Sequence, residues 1–400
     1  MLRHVGQDGI LRRIGNPPLR ALILPRRADA PAARVRLPIG RRLTTCPILV
    51  TKPRQRACLY IPTAILAFVT IPRWRGFNLI DLIGRAPRRR FRESDFEWIA
   101  AWGFNFVRLP LSFLNWSDKA DWFAIREKNL RPIDEALKFG QRYGIHVNIN
   151  FHEIPGYRVN SPERAHLFLF GNDEDLSRRA LEAAAHHWSF FATRYRDIPS
   201  SRLSFNLINE PPVMVETARY ERVIQRLVSA IREVDPDRLI FADGADLGQS
   251  PLLGLVDTGL VQSTRGYLPK ALSHYRATWV PDAEFESVAP PTWPLLDRNR
   301  NVWDRERLRS ELIMRWRPVT ERGVNVHVGE WGAYCATPHR VVLDWMRDVL
   351  SLWRESGWGW ALWRLHGEFG IVDSQRRDVR YERFHRRRLD REMLELLQAG

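Results

Sequence analysis

From residue 73 onward the chain alternates between two kinds of segment. Short apolar runs rich in Val, Ile, Leu and Phe fall at 76–80, 104–109, 145–151, 203–208, 238–242, 260–263, 324–328 and 358–363. Longer stretches with apolar residues at helical spacing lie between them, at 94–102, 132–143, 174–195, 217–234, 305–322 and 341–356. Continuous apolar runs separated by amphipathic helices are the pattern of strands buried on both faces of a parallel sheet. Eight such units predict an α/β fold of the (β/α)8, or TIM barrel, type. The pairs Trp102-Gly103, Tyr143-Gly144, Arg322-Gly323 and Ser356-Gly357 put glycine where a helix ends in the left-handed region. The fifth helix, around 252–256, is short. The Pro-rich stretch 276–301 reads as a long βα loop on the active face, and the charged run 376–391 as a solvated face before a last short helix.

Residues 1–70 read differently. They mix Arg with Pro, Gly and Ala, show no sustained period in the first 56 positions, and predict a basic leader with little fixed structure ahead of a domain at 71–400. Within the leader, 57–72 (ACLYIPTAILAFVTIP) is an apolar stretch too short for a membrane span and interrupted by Pro62, so no stable membrane insertion is expected. With basic Lys52 to Arg56 in front it resembles a secretory signal, although it begins far from Met1 and lacks a clear A-x-A cleavage site. Two readings stay open: translation starting near Val50 with a short signal and export to the periplasm or medium, or residues 59–69 packing against the bottom of the domain.

The net charge of +16 changes little once it is located. Residues 1–70 carry thirteen Lys and Arg against Asp8 and Asp29, a net +11, which leaves +5 for the rest. A domain so nearly balanced is not a nucleic-acid binder by charge, and only five of the 62 basic residues are Lys. Three cysteines, two of them in the leader, exclude a disulfide framework. The domain must stand on its own core, and a monomer is expected.

Chemistry in such a barrel gathers where strands end. The polar residues there are Arg108, His152-Glu153, Asn209-Glu210, Arg265-Gly266-Tyr267, Glu330-Trp331 and Trp363-Arg364. Glu210 and Glu330 end strands four and seven, across the mouth from each other. Paired carboxyls flanking a cleft suit glycoside hydrolysis, one as a protonated acid and the other as an ionised nucleophile or base. Sixteen tryptophans supply candidate platforms for a sugar ring, with Trp363 first and Trp293, Trp303 and Trp331 behind it. No HExxH, HxH, CxxC, GxxxxGK[ST], GxGxxG or GxSxG occurs, so metal, nucleotide and serine-esterase readings lack their motifs, and no cofactor or metal is expected.

These elements carry a resemblance. Arg75-Gly76-Phe77-Asn78, Asn105 to Pro110, Phe151-His152 with Pro155-Gly156, Phe205 to Pro211, Val328 to Gly332 and Trp360 to Trp363 stand in the order found in glycoside hydrolase family 5, which the chain resembles over about residues 73–375. The resemblance implies that Glu210 is the acid and then base, and that Glu330 is the nucleophile of a double displacement. It further implies that Asn209 bonds the sugar 2-hydroxyl, Arg108 and Tyr267 hold Glu330, His152 lines the same subsite and Trp363 is the platform. Two departures stand out. Where many members have His-x-Tyr, this chain has Arg265-Gly266-Tyr267, which leaves substrate placement open and makes His274 a candidate to enter from the same loop. Glu153 stands where many cellulases have a second histidine and offers a third carboxylate. The expected partner is a β-linked glucan or related polysaccharide and the expected activity endo-β-1,4-glucanase. β-Mannanase, xyloglucanase and exo-β-glucosidase stand behind it, and a catalytically silent sugar-binding barrel is the alternative from another class.

Overall fold

The computed structural model describes residues 70–84, 89–159, 168–280 and 289–400. Residues 1–69, with all but the last three residues of the signal-like stretch, lie outside the described residues. Eight parallel strands close into a barrel: β1 (Arg75–Asn78), β2 (Phe106–Ser112), β3 (His146–Ile154), β4 (Leu203–Asn206), β5 (Leu239–Asp243), β6 (Val261–Gly266), β7 (Val326–Trp331) and β8 (Gly359–Leu362). Each pairs with its chain neighbours, and β8 returns to β1 to complete the ring.

The outer layer follows the predicted helices where local signals are strong. α1 (Glu93–Ala101), α2 (Arg131–Tyr143), α3 (Glu174–Tyr195) and α4 (Thr217–Arg232) cover the first half. Pro132 sits in the first turn of α2, and Gly144, at φ 68°, ends it. Asp173 caps α3 by accepting from the Leu176 N–H at 2.9 Å. After β7 comes α5 (His339–Glu355), and α6 (Arg391–Ala399) closes the chain.

Three expectations need correction. The helix expected at 305–322 is broken into Arg305–Leu308, a π turn at Arg309–Ile313, a 3-10 turn at Met314–Trp316 and Arg317–Thr320. Pro318, which has no N–H to donate, sits in the first turn of the last piece, where a helix tolerates it. The fifth helix is a 3-10 segment, Leu253–Thr258. The loop 276–301 is not wholly irregular, because Leu295–Leu296 pairs antiparallel with Val302–Trp303.

The floor of the barrel is aromatic. Trp74, Phe106, Leu239, Phe241, Val261 and Ala361 form one buried cluster, with Trp74 stacked on His146 at 3.7 Å between ring centroids. β1 lies so close to β2 that a Cβ on Gly76 would fall 1.7 Å from the Phe106 carbonyl oxygen, so only glycine fits there. His146 faces the Ser201 carbonyl with Nδ1 at 3.1 Å and the Ser204 hydroxyl with Nε2 at 2.8 Å. A carbonyl only accepts, so Nδ1 carries a proton.

Burial pushes His146 and His327 each down to about 3. A histidine held neutral in the fold binds fewer protons than the unfolded chain between pH ~6.5 and its folded value, so stability is lost as pH falls through that window. Each such ring withdraws about 1.4 kcal/mol per pH unit. Urea midpoints should therefore fall steeply from pH 7 to pH 5, less so in His327→Gln. A midpoint unchanged over that interval would contradict the buried neutral pair.

Candidate active site

The upper half of the barrel is polar and tightly bonded. Arg108, on β2, is almost wholly buried and donates from Nε to Asn206 at 2.9 Å, from Nη1 to Asn78 at 3.0 Å and Glu330 at 2.7 Å, and from Nη2 to Asn209 at 2.7 Å. Glu330 reaches the mouth because the register of β7 against β6 and β8 slips beyond Val328. Such a bulge re-aims the following side chain. The Tyr267 hydroxyl donates to the second Glu330 oxygen at 3.2 Å. Two donors from two strands thus fix both oxygens of one carboxylate.

Glu210 lies just beyond β4 with φ 45°, a conformation that costs a non-glycine residue and must be held from outside. Its N–H donates to Asp243 at 2.9 Å, and its carbonyl accepts from the Tyr157 hydroxyl. Its carboxyl accepts from Arg265 Nε at 2.8 Å. Burial, followed by the charge of Glu330, pushes Glu210 up to about 7 against the opposing pull of Arg265. One carboxyl of the pair is thereby kept protonated near neutrality, while the other accepts from a guanidinium and a phenol.

Asn209 Oδ1 accepts from both Arg108 and Arg265, the latter at 2.9 Å. That fixes the amide orientation and leaves its buried Nδ2 without a protein partner among the described residues. A donor held ready and unused is what a ligand hydroxyl would satisfy. His152 also keeps a buried Nδ1 without a partner and stacks on Trp363, with ring centroids 5.7 Å apart and 20° between planes. Burial, reinforced by Arg108 and Arg265, holds His152 well below its ordinary range, so it is neutral. His274 sets its ring edge against Tyr267 at 5.0 Å, and burial lowers it to about 4.

His152, Glu210, Tyr267, His274, Glu330 and Trp363 line one cavity of about 200 Å³, together with Arg265, Lys270, Gln249, Trp279 and Phe369. Arg108 and Asn209 stand directly behind it. Other candidates belong elsewhere. Trp331 is fully buried and packs edge-on against Trp353 and Trp360, so it is core and not platform. Trp293 donates to Asp348 at 2.8 Å and packs on the core, and Trp303 donates to Asp297 at 3.2 Å beside a separate surface pocket. Glu153 turns away from the cavity, accepts from the Ser112 hydroxyl and pairs with Arg158 at 3.7 Å. The third carboxylate of the site is Asp243, at the end of β5. The strand-end rule points at it, since it directly follows the apolar run 238–242, yet the polar strand ends named from sequence include none from that strand. Among the described residues no group of three or more His, Cys, Asp or Glu could hold a metal ion, and no helix is long and apolar enough to cross a membrane.

The chain is 25% identical over 312 residues to endoglucanase C of Acetivibrio thermocellus, covering 72% of this chain and 88% of that protein. It is 28% identical over 294 residues to cellodextrinase A of Ruminococcus flavefaciens, covering 71% and 82%. A solved structure described as a glycoside hydrolase superposes with a TM-score of 0.75 at 36% identity, covering 82% of this chain and 99% of that one. The family model for cellulase, glycosyl hydrolase family 5, matches residues 73–368, and the chain belongs to that family.

Proposed function

We propose that this glycoside hydrolase is a retaining endo-β-1,4-glucanase, with Glu210 as acid and base and Glu330 as nucleophile. The observation that carries the reading is the unequal treatment of two carboxyls in one cavity. Glu330 accepts from the Arg108 guanidinium and the Tyr267 hydroxyl, whereas Glu210 is pushed up to about 7 and holds a proton to give. In the first step Glu330 attacks C1 while Glu210 protonates the departing glycosidic oxygen. In the second, ionised Glu210 takes a proton from water, and the water oxygen displaces Glu330 from C1. Asn209 Nδ2 is placed to donate to the sugar 2-hydroxyl, His152 and His274 flank the ring, and Trp363 offers it an apolar face. A glucan polymer as substrate is supported by the endoglucanase and cellodextrinase names of the relatives. A polymer is met outside the cytoplasm, which fits an exported enzyme. One chain supplies every group of the site, so a monomer suffices.

The test is product analysis on carboxymethyl-cellulose, mixed-linkage β-glucan, mannan and xyloglucan. Short β-linked gluco-oligosaccharides released early, with a fast fall in viscosity, are expected. Single glucose units released from chain ends with viscosity unchanged would replace endo by exo action. Because Glu210 must carry its proton to act, kcat/KM should fall above pH ~7. A profile still flat at pH 9 would remove Glu210 from the acid role.

A further inference from the structure

At the position where many relatives place histidine, a buried arginine touches both carboxyls of the site. Arg265 donates from Nε to Glu210 at 2.8 Å, lies 3.5 Å from Glu330, and also pairs through Nη2 with Asp243. The fold is shaped around it. A Cβ on Gly248 would come within 2.9 Å of Arg265 Cγ, and a Cβ on Gly329 within 2.9 Å of Nη1. The turn leading to Gly248 holds Asp246 and Leu247 at positive φ, 53° and 58°, and the Leu247 N–H is tied to the Pro211 carbonyl at 2.9 Å. Strained backbone therefore joins the Arg265 cradle to the segment that carries Glu210.

Among the described residues, the charged and titratable groups around Glu210 are these. β2 brings Arg108; β3 and the turn after it bring His152 and Tyr157; β5 brings Asp243. β6 brings Arg265 and Tyr267, with Lys270 and His274 beyond it, and β7 brings Glu330. Arg364, beyond β8, is paired with Glu368. The histidines are held neutral by burial, and both tyrosines are pushed well above their ordinary range. Lys270 is exposed. The buried charges are then two guanidiniums, Arg108 and Arg265, against three carboxyls, Glu210, Glu330 and Asp243. Such a set is neutral when one carboxyl keeps its proton, and unbalanced buried charge is expensive.

We propose that Arg265 and Asp243 are a matched pair of positioning residues for Glu210: Arg265 aims its carboxyl, and Asp243 offsets the charge by which Arg265 would otherwise strip its proton. Asp243 acts twice, since it also accepts from the Glu210 N–H and so holds the strained backbone. The inference deepens the proposed function, because it takes Glu210 as the acid.

The test reads the proton on Glu210 with and without turnover. Asp243→Asn should move the basic limb of kcat/KM, and the carbon-13 carboxyl titration of Glu210 assigned by difference with Glu210→Gln, down by about one pH unit, a roughly fivefold loss at pH 7. Arg265→Gln should move both up by a similar amount, the double variant should return both to within about half a unit of wild type, and Arg265→Lys, which keeps the charge, should leave them there. Lower kcat in the single variants with limb and titration unmoved would make the pair a mere strut and overturn the proposal. Should the variants not fold, a Glu210 titration below pH ~5 in the wild type would overturn it equally. A wild type without glycosidase activity but with the expected titration shifts would instead sink the proposed function and leave the pairing standing.

Discussion

Glu330→Gly should lose on the order of 10⁴-fold or more in kcat on an aryl β-cellobioside, and azide should restore turnover with an α-glycosyl azide as product. In the proposed roles the carboxylate does two things that no neighbour replaces: it attacks C1, and it pairs with Arg108. With the side chain gone, a small anion can occupy the space beside Arg108 and attack from the face Glu330 used. The C1–N bond then forms as the C1–O bond to the aryl group breaks, and the configuration inverts. Glu210→Ala should behave oppositely. An activated aryl group leaves without protonation, so the glycosyl-enzyme on Glu330 still forms, and azide then displaces Glu330 to give the β-azide. A β-azide from the Glu330 variant with an α-azide from the Glu210 variant would reverse the assignment of roles, and identical products or no azide adduct from either would remove it.

Parity along the strands explains much of what sequence could and could not reveal. The eight apolar runs mark the barrel because a parallel strand covered on both faces must be apolar throughout. Their polar ends mark the mouth. Which of two adjacent polar residues points inward is a matter of period two, and there the strand-end reading was too coarse. His152 faces the cavity and Glu153 the opposite side; Glu330 faces inward and Trp331 packs under the helices. Glu210 escapes that alternation because the chain has left β4 and takes a positive φ, which no residue pattern announces. Arg265 was legible as a departure but not as a partner. Its meaning depends on Asp243, one strand connection away in sequence and brought beside it by the pairing of β5 with β6. The break of the 305–322 helix is a local failure of the same kind, since its apolar spacing continues through the π turn.

Arg108→Leu should lower the unfolding midpoint by about 5–10 °C and cost on the order of 10²–10³ in kcat. Four acceptors share this guanidinium: Asn78, Asn206, Asn209 and Glu330. A leucine of similar bulk leaves all of them buried and short of a donor, and the uncompensated carboxylate dominates, at about 3–5 kcal/mol for a broken buried pair. The loss in rate has a separate origin. Without Arg108 the Glu330 carboxylate keeps Tyr267 and the distant edge of Arg265, so it is no longer held where it must attack, and Asn209 loses one of the two donors that fix its amide. Arg108→Lys separates the two effects. Its ammonium can keep the ion pair with Glu330 but cannot serve four acceptors in one plane, so most of the thermal stability should return while kcat stays at least about tenfold low. Differential scanning calorimetry with initial rates on the same preparations checks both. A leucine variant that melts with the wild type would mean that water or Arg265 satisfies the orphaned acceptors, and that the arginine hub is not what holds the mouth of the barrel together.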